Sequence, residues 1–211
     1  MFGFLGAVIS GLSSALSVVG TLVPKIVGIV GAALQKLSTA LEVFFKVLGL
    51  LAKDETMEDI GDRALQAEQD EQNPIKIEDF DSHEKYLAAI REYEVDPEKS
   101  ALTTEDEKLH KAIEIMLAAA MSQYGQPMTE FGQIVMNNPE FYGKSERLAE
   151  FANIARSDPQ TFADIVNYIE HKVMSTEKND AAFDKLIEME RKVNPDAPDE
   201  EIWSVVSDMK K

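Results

Sequence analysis

The chain has 211 residues, a formal net charge of −17 and no cysteine. That excludes disulfides, thiolate metal sites and cysteine nucleophiles, and a field this negative repels nucleic-acid phosphates, so no nucleic-acid partner is expected. The charge is unevenly spread. Residues 1–52 carry three lysines and one glutamate, +2, which leaves 18 basic and 37 acidic residues, −19, in the remainder.

Residues 1–23 contain no charged side chain. As a helix they would extend about 35 Å at ~1.5 Å per residue, enough to cross a hydrocarbon core of about 30 Å. The stretch lacks the basic start of a cleaved secretory signal and its apolar character resumes after Pro24-Lys25, so it reads as part of the working protein. Pro24 is expected to break the helix. A second apolar stretch, residues 26–52, carries Lys36, Glu42 and Lys46.

Offset by 25 positions, the two stretches resemble one another: Leu12-Ser13-Ser14-Ala15-Leu16 falls on Leu37-Ser38-Thr39-Ala40-Leu41. Two copies joined by a short break suggest an antiparallel helical hairpin. Each copy has one narrow stripe of small or polar residues. It comprises Gly3, Gly6, Ser10, Ser13, Ser17 and Thr21 in the first, and Gly28, Gly31, Gln35, Thr39, Glu42 and Lys46 in the second. At about 100° per residue each stripe stays within one sector, and the rest of the circumference is apolar.

Three readings of that geometry remain open. Small stripes let membrane helices approach closely. A stripe with Gln35, Thr39, Glu42 and Lys46 could instead face water inside an oligomeric pore, with Glu42 and Lys46 partly neutralising each other at i,i+4. The third is that both stretches pack in a soluble helical core or at a subunit interface, and a membrane-associated pair could also lie flat in the interface.

Residues 53–81 are dense in acid and read as a mobile connector, in which 53–71 could be helical, Asn73-Pro74 ends that stretch, and 75–81 is extended or irregular. From 82 to 211 the pattern is helical. Thr103 or Thr104 caps a helix reaching about Gln123, whose Ile113–Met121 run is apolar enough to be central. Asn138-Pro139, Asp158-Pro159 and Asn194-Pro195, with Asp96-Pro97, each place a capping side chain before a proline suited to a helix start. No alternating strand pattern occurs, so the fold class is all-α: an apolar helical hairpin (1–52), an acidic connector (53–81) and an acidic helical bundle (82–211).

His83, His110 and His171 lack paired metal-ligand spacing, and the acidic run Glu78, Asp79, Asp81, His83, Glu84 lacks the glycine and ligand spacing of a calcium loop. No phosphate-cradling glycine loop or nucleophile elbow is present. No catalytic, cofactor or metal residue is therefore assigned, and an enzyme is not expected. The layout is similar to small membrane-active bacterial proteins such as pore-forming effectors and holins, a likeness of architecture alone. The leading expectation is a protein, membrane-associated or secreted without a cleaved signal, whose hairpin forms a homo-oligomer and permeabilises a bilayer. A chaperone or delivery protein would cover residues 1–52 beforehand. The alternative is a non-enzymatic anchored adaptor that displays the acidic bundle to a partner.

Overall fold

The computed structural model describes the backbone of residues 3–210 and the side chains of 15 and 17–210. Twelve helices and no strand occur among the described residues. In chain order they are α1 (Gly3–Gly28), α2 (Gly31–Leu48), α3 (Met57–Glu68), α4 (His83–Glu92), α5 (Pro97–Leu102) and α6 (Glu105–Tyr124). There follow α7 (Gln126–Asn137), α8 (Pro139–Tyr142), α9 (Ser145–Ser157), α10 (Pro159–Ile169), α11 (Thr176–Val193) and α12 (Asp199–Asp208). A 3-10 turn, Ile77–Asp79, lies between α3 and α4.

Local chemistry sets most of the helix starts. The Thr104 hydroxyl accepts the Glu107 amide while the Glu107 side chain accepts the Thr104 amide, a reciprocal cap on α6. Asp96, Asn138 and Asp158 cap α5, α8 and α10, each followed by proline at the first helical position. Asn194-Pro195 departs from that pattern. Asn194 ends α11, its side-chain amide donating to Glu190, and α12 begins only after Pro198.

Pro24 does not break α1, which runs through it to Gly28. A mid-helix proline removes one amide donor and crowds the carbonyl four residues earlier. Here that carbonyl belongs to Gly20, and both residues face solvent, so water can take the released acceptor. The break comes at Ile29–Val30, where Gly31 adopts a left-handed φ of +57°.

α6 forms the centre of the fold. From Ile115 to Met121 every residue is buried, so the helix is covered on all sides, as its continuous apolar run requires. α1 lies on α6 and α7, whereas α2 lies on α9 and α6. Among the described residues the two helices therefore pack chiefly on other elements rather than on each other as the expected hairpin would. Leu34, Leu37, Leu41, Phe44, Phe45 and Leu48 of α2 are all buried in one core continuous with α6–α12. Phe44 sits 5.8 Å from the ring of Phe131 on α7, and Phe131 in turn lies 4.6 Å from Phe151 and 5.4 Å from Phe162. A boundary after residue 52 would cut through this aromatic cluster.

The connector is likewise part of the body. α3 buries Met57, Ile60, Gly61, Ala64 and Ala67 against α6. Its apolar stripe is narrow because small residues, rather than many large ones, make the contact. At Gly61 the two backbones approach so closely that an added Cβ would lie 1.8 Å from the Lys108 carbonyl oxygen. Lys108 also binds Asp62 at 3.2 Å, and Lys111 binds Glu68 at 2.6 Å, tying the acidic face of α3 to α6.

Candidate membrane-docking helix

The second half of α1 buries Ala15, Val19, Leu22 and Ile26, one residue per turn, against α6 and α7. The opposite side, Ser17, Gly20, Thr21, Pro24 and Gly28, is exposed. Of the sequence stripe, Gly3, Gly6, Ser10 and Ser13 lie outside the residues whose side chains are described. Ser17 and Thr21 face solvent, and the Thr21 hydroxyl donates to the Val18 carbonyl at 2.6 Å.

The stripe of α2 has the same fate. Gly28, Gly31 and Thr39 are exposed, and Gln35, Glu42 and Lys46 are half-buried. Thr39 donates back to the Gln35 carbonyl at 2.9 Å. Glu42 holds Lys46 at 2.8 Å and accepts the Met57 amide at 3.1 Å, placing a carboxylate on the N-terminus of α3, where the helix dipole favours it. In this fold the described stripe residues form the uncovered strip of core helices, and Glu42 and Lys46 serve an intramolecular cap and ion pair.

The corner between α1 and α2 is clamped by α6. His110 donates a ring N–H to the Ile29 carbonyl at 2.8 Å, and Asp106 accepts the Gly31 amide at 3.2 Å. Lys25 donates to the Asn137 side-chain oxygen on α7. Beside these contacts Val27 is 52% exposed and Val30 59% exposed, next to a shallow cavity of about 260 Å³ lined by Val23, Ile26, Leu65 and Glu114. The described part of α1 is thus fixed at its C-terminal end.

Other concave surfaces are occupied by structural pairings. One, about 890 Å³, lies between α3, residues 69–73, α5 and Glu107 of α6. Its Asp70 already accepts the Gln72 and Asn73 amides at 2.9 and 3.0 Å, and those bonds hold its carboxyl below the ordinary range. Among the described residues no group of three or more His, Asp or Glu side chains is placed to hold a metal. Of the acidic run 78–84, Asp81 pairs with Lys85 at 2.7 Å and His83 is buried with neither ring nitrogen bonded. Sequence reading missed this last feature, because a helical histidine carries no mark of its burial.

Among the described residues no helix is long and apolar enough to cross a membrane. Compared with protein-family models, curated proteins and solved structures, the chain matches none.

Proposed function

We propose that the protein is a non-enzymatic, membrane-docking protein that uses the leading segment of its sequence as a monotopic lipid anchor and presents the acidic bundle at the surface. The observation that carries this reading is the division of α1. From Ala15 onward one face of the helix is seated on α6 and α7, whereas residues 1–14 contain Phe2, Phe4, Leu5, Val8, Ile9 and Leu12 and no charge. The helical residues 3–14 reach about 18 Å at ~1.5 Å each, short of a hydrocarbon core of about 30 Å, so the segment suits one leaflet rather than a span. Its helix is an extension of one already nucleated on the body, which removes the entropy cost of starting it at the lipid surface.

Permeabilisation by a hairpin of residues 1–52 would demand much more. Withdrawing Leu34, Leu37, Leu41, Phe44, Phe45 and Leu48 of α2 from the core forfeits about 1.5–3 kcal/mol each. The sum rivals the whole stability of an ordinary domain, about 5–15 kcal/mol. Docking needs no such rearrangement. Because the chain carries −17, apolar burial must drive it, and anionic lipid should oppose it.

Flotation with phosphatidylcholine vesicles tests the proposal. The full chain should float, with less binding to anionic vesicles that recovers as salt is raised, and encapsulated dye should stay inside. Phe4→Asp with Val8→Asp should abolish flotation without lowering the melting temperature. A wild-type chain that stays unbound, or a double variant that floats equally, refutes docking through this segment. Steep, cooperative dye release would return the permeabilising reading to the front.

A further inference from the structure

Three buried side-chain atoms lack a hydrogen-bond partner among the described residues, and all three lie on one turn of α4: both ring nitrogens of His83 and the Tyr86 hydroxyl. The other buried polar side chains treated above, Asp62 and Lys108, are paired. Burying a polar group without a partner forfeits its hydration and gains nothing in return. The opposite end of α4 is held by strong polar contacts. Arg91 binds Glu55 at 2.7 and 3.0 Å and the Leu50 carbonyl at 2.8 Å, while Arg63 donates to the Arg91 and Tyr93 carbonyls at 2.9 and 2.7 Å. One end of the helix is clamped; the other rests on unsatisfied groups beside a cavity of about 560 Å³, bounded by the Gly49–Leu50 turn and by Ala119 and Ser122 of α6.

We infer that the first turns of α4 are an acid-released strap. Protonation of His83 drives its ring out from between α4, α6 and the Gly49–Leu50 turn, and the helix swings about its Arg91 end to open the cavity beneath.

Among the described residues no side chain pairs with the His83 ring to compensate an imidazolium. On α4 itself the charged neighbours of the cavity are Glu84 and Arg91, and the charge of Arg91 is already taken by Glu55. α6 lines it with the uncharged Ala119, Ser122 and Gln123. Elsewhere on the helices packed against α4, Arg63 of α3 is spent on carbonyls. Glu68 of α3, Glu114 of α6 and Glu78 of the 3-10 turn act on Tyr86, whose hydroxyl is pushed well above its usual range, first by burial. Burial alone pushes His83 down to about 4.

The open form, with a solvated ring, binds a proton near the ordinary value of about 6.5. The ratio of open to closed α4 therefore rises about tenfold per pH unit below that value. It levels off below about 4, for roughly a 300-fold change in all.

Hydrogen exchange corrected for its intrinsic pH dependence, together with NMR titration of the three histidine rings, tests the strap. Amides of α4 should lose about tenfold protection for each pH unit below about 6.5 while those of α9 and α10 hold, and the His83 ring should titrate near 4. His83→Leu should remove the pH dependence of α4 over that range. A His83 ring that titrates near 6.5, or α4 protection that does not change with pH, overturns the inference. So does His83→Leu opening with the unaltered pH dependence. Should that variant fail to fold, the ring titration of the wild-type chain decides alone. Exchange and titration read the strap without lipid, so their outcome is independent of the docking proposal.

Discussion

Gly61→Ala is the sharpest probe of how this fold is held together. The new Cβ would sit 1.8 Å from the Lys108 carbonyl oxygen and 2.6 Å from its carbon, both backbone atoms of the central helix. A side chain could rotate away; a helix backbone cannot. To reach ordinary contact α3 must retreat from α6 by about 1.5 Å, loosening the dispersion contacts of Met57, Ile60, Ala64 and Ala67 together. Overpacking of this kind costs about 3–4 kcal/mol when backbone must move, and alanine returns about 1 kcal/mol of helix propensity, leaving a net loss of about 2–3 kcal/mol. For a chain of this size that corresponds to a melting temperature lower by roughly 5–10 °C.

Gly132→Ala supplies the contrast. Its Cβ would meet the mobile Met121 methyl at 2.7 Å and Leu117 at 3.7 Å, so the change should stay within about 1 kcal/mol of wild type. Thermal and urea unfolding of both variants, followed by circular dichroism, makes the comparison. A Gly61→Ala protein as stable as wild type would mean that residues 53–81 are the loose tether their composition suggests, and that the close α3–α6 approach is not native.

The remaining predictions concern buried charge and pH. Arg147, 2% exposed, binds the fully buried Glu190 at 2.6 and 3.0 Å and donates to the Phe141 carbonyl. Arg147→Met alone should cost about 3–5 kcal/mol by stranding the carboxylate, and Arg147→Met with Glu190→Leu should recover most of that in urea unfolding. Equal loss in the single and double variants would argue against the pair as the cause. Asp62 adds a second acid step, below that of His83. Burial raises its carboxyl, but bonds from Ser100, Gln66 and Lys108 outweigh this and hold it below its usual value. The carboxylate therefore stabilises the fold above about pH 4 and that contribution is lost as pH falls further, so Asp62→Asn should flatten the stability profile there while leaving the His83 window intact.

Much of the architecture was legible from local rules. Within the run 113–121 every residue from Ile115 to Met121 is buried and forms the centre, as a helix segment apolar all round must be. Threonine, aspartate and asparagine caps before acidic or proline-led first turns begin α5, α6, α8 and α10 where the residues place them, since capping is decided within four residues. Asn194-Pro195 shows the limit, because the same dipeptide also closes a helix and only its neighbours choose. The stripes of residues 3–46 are regular in sequence, yet periodicity reports that a helix has two faces and does not say what each face meets. For α2 the wide apolar face meets Phe131 and its neighbours, and the polar strip meets water and the start of α3.

The amino-acid order alone determined the helical content, the apolar and acidic halves and the absence of charge over residues 1–23. These depend on side-chain chemistry at three- and four-residue spacing. Only the tertiary structure decided that α2 is core, that α3 packs on α6, and that His83 is buried without a partner among the described residues. Each of those rests on contacts between residues distant along the chain, and such contacts arise when whole helix faces compete for one interior.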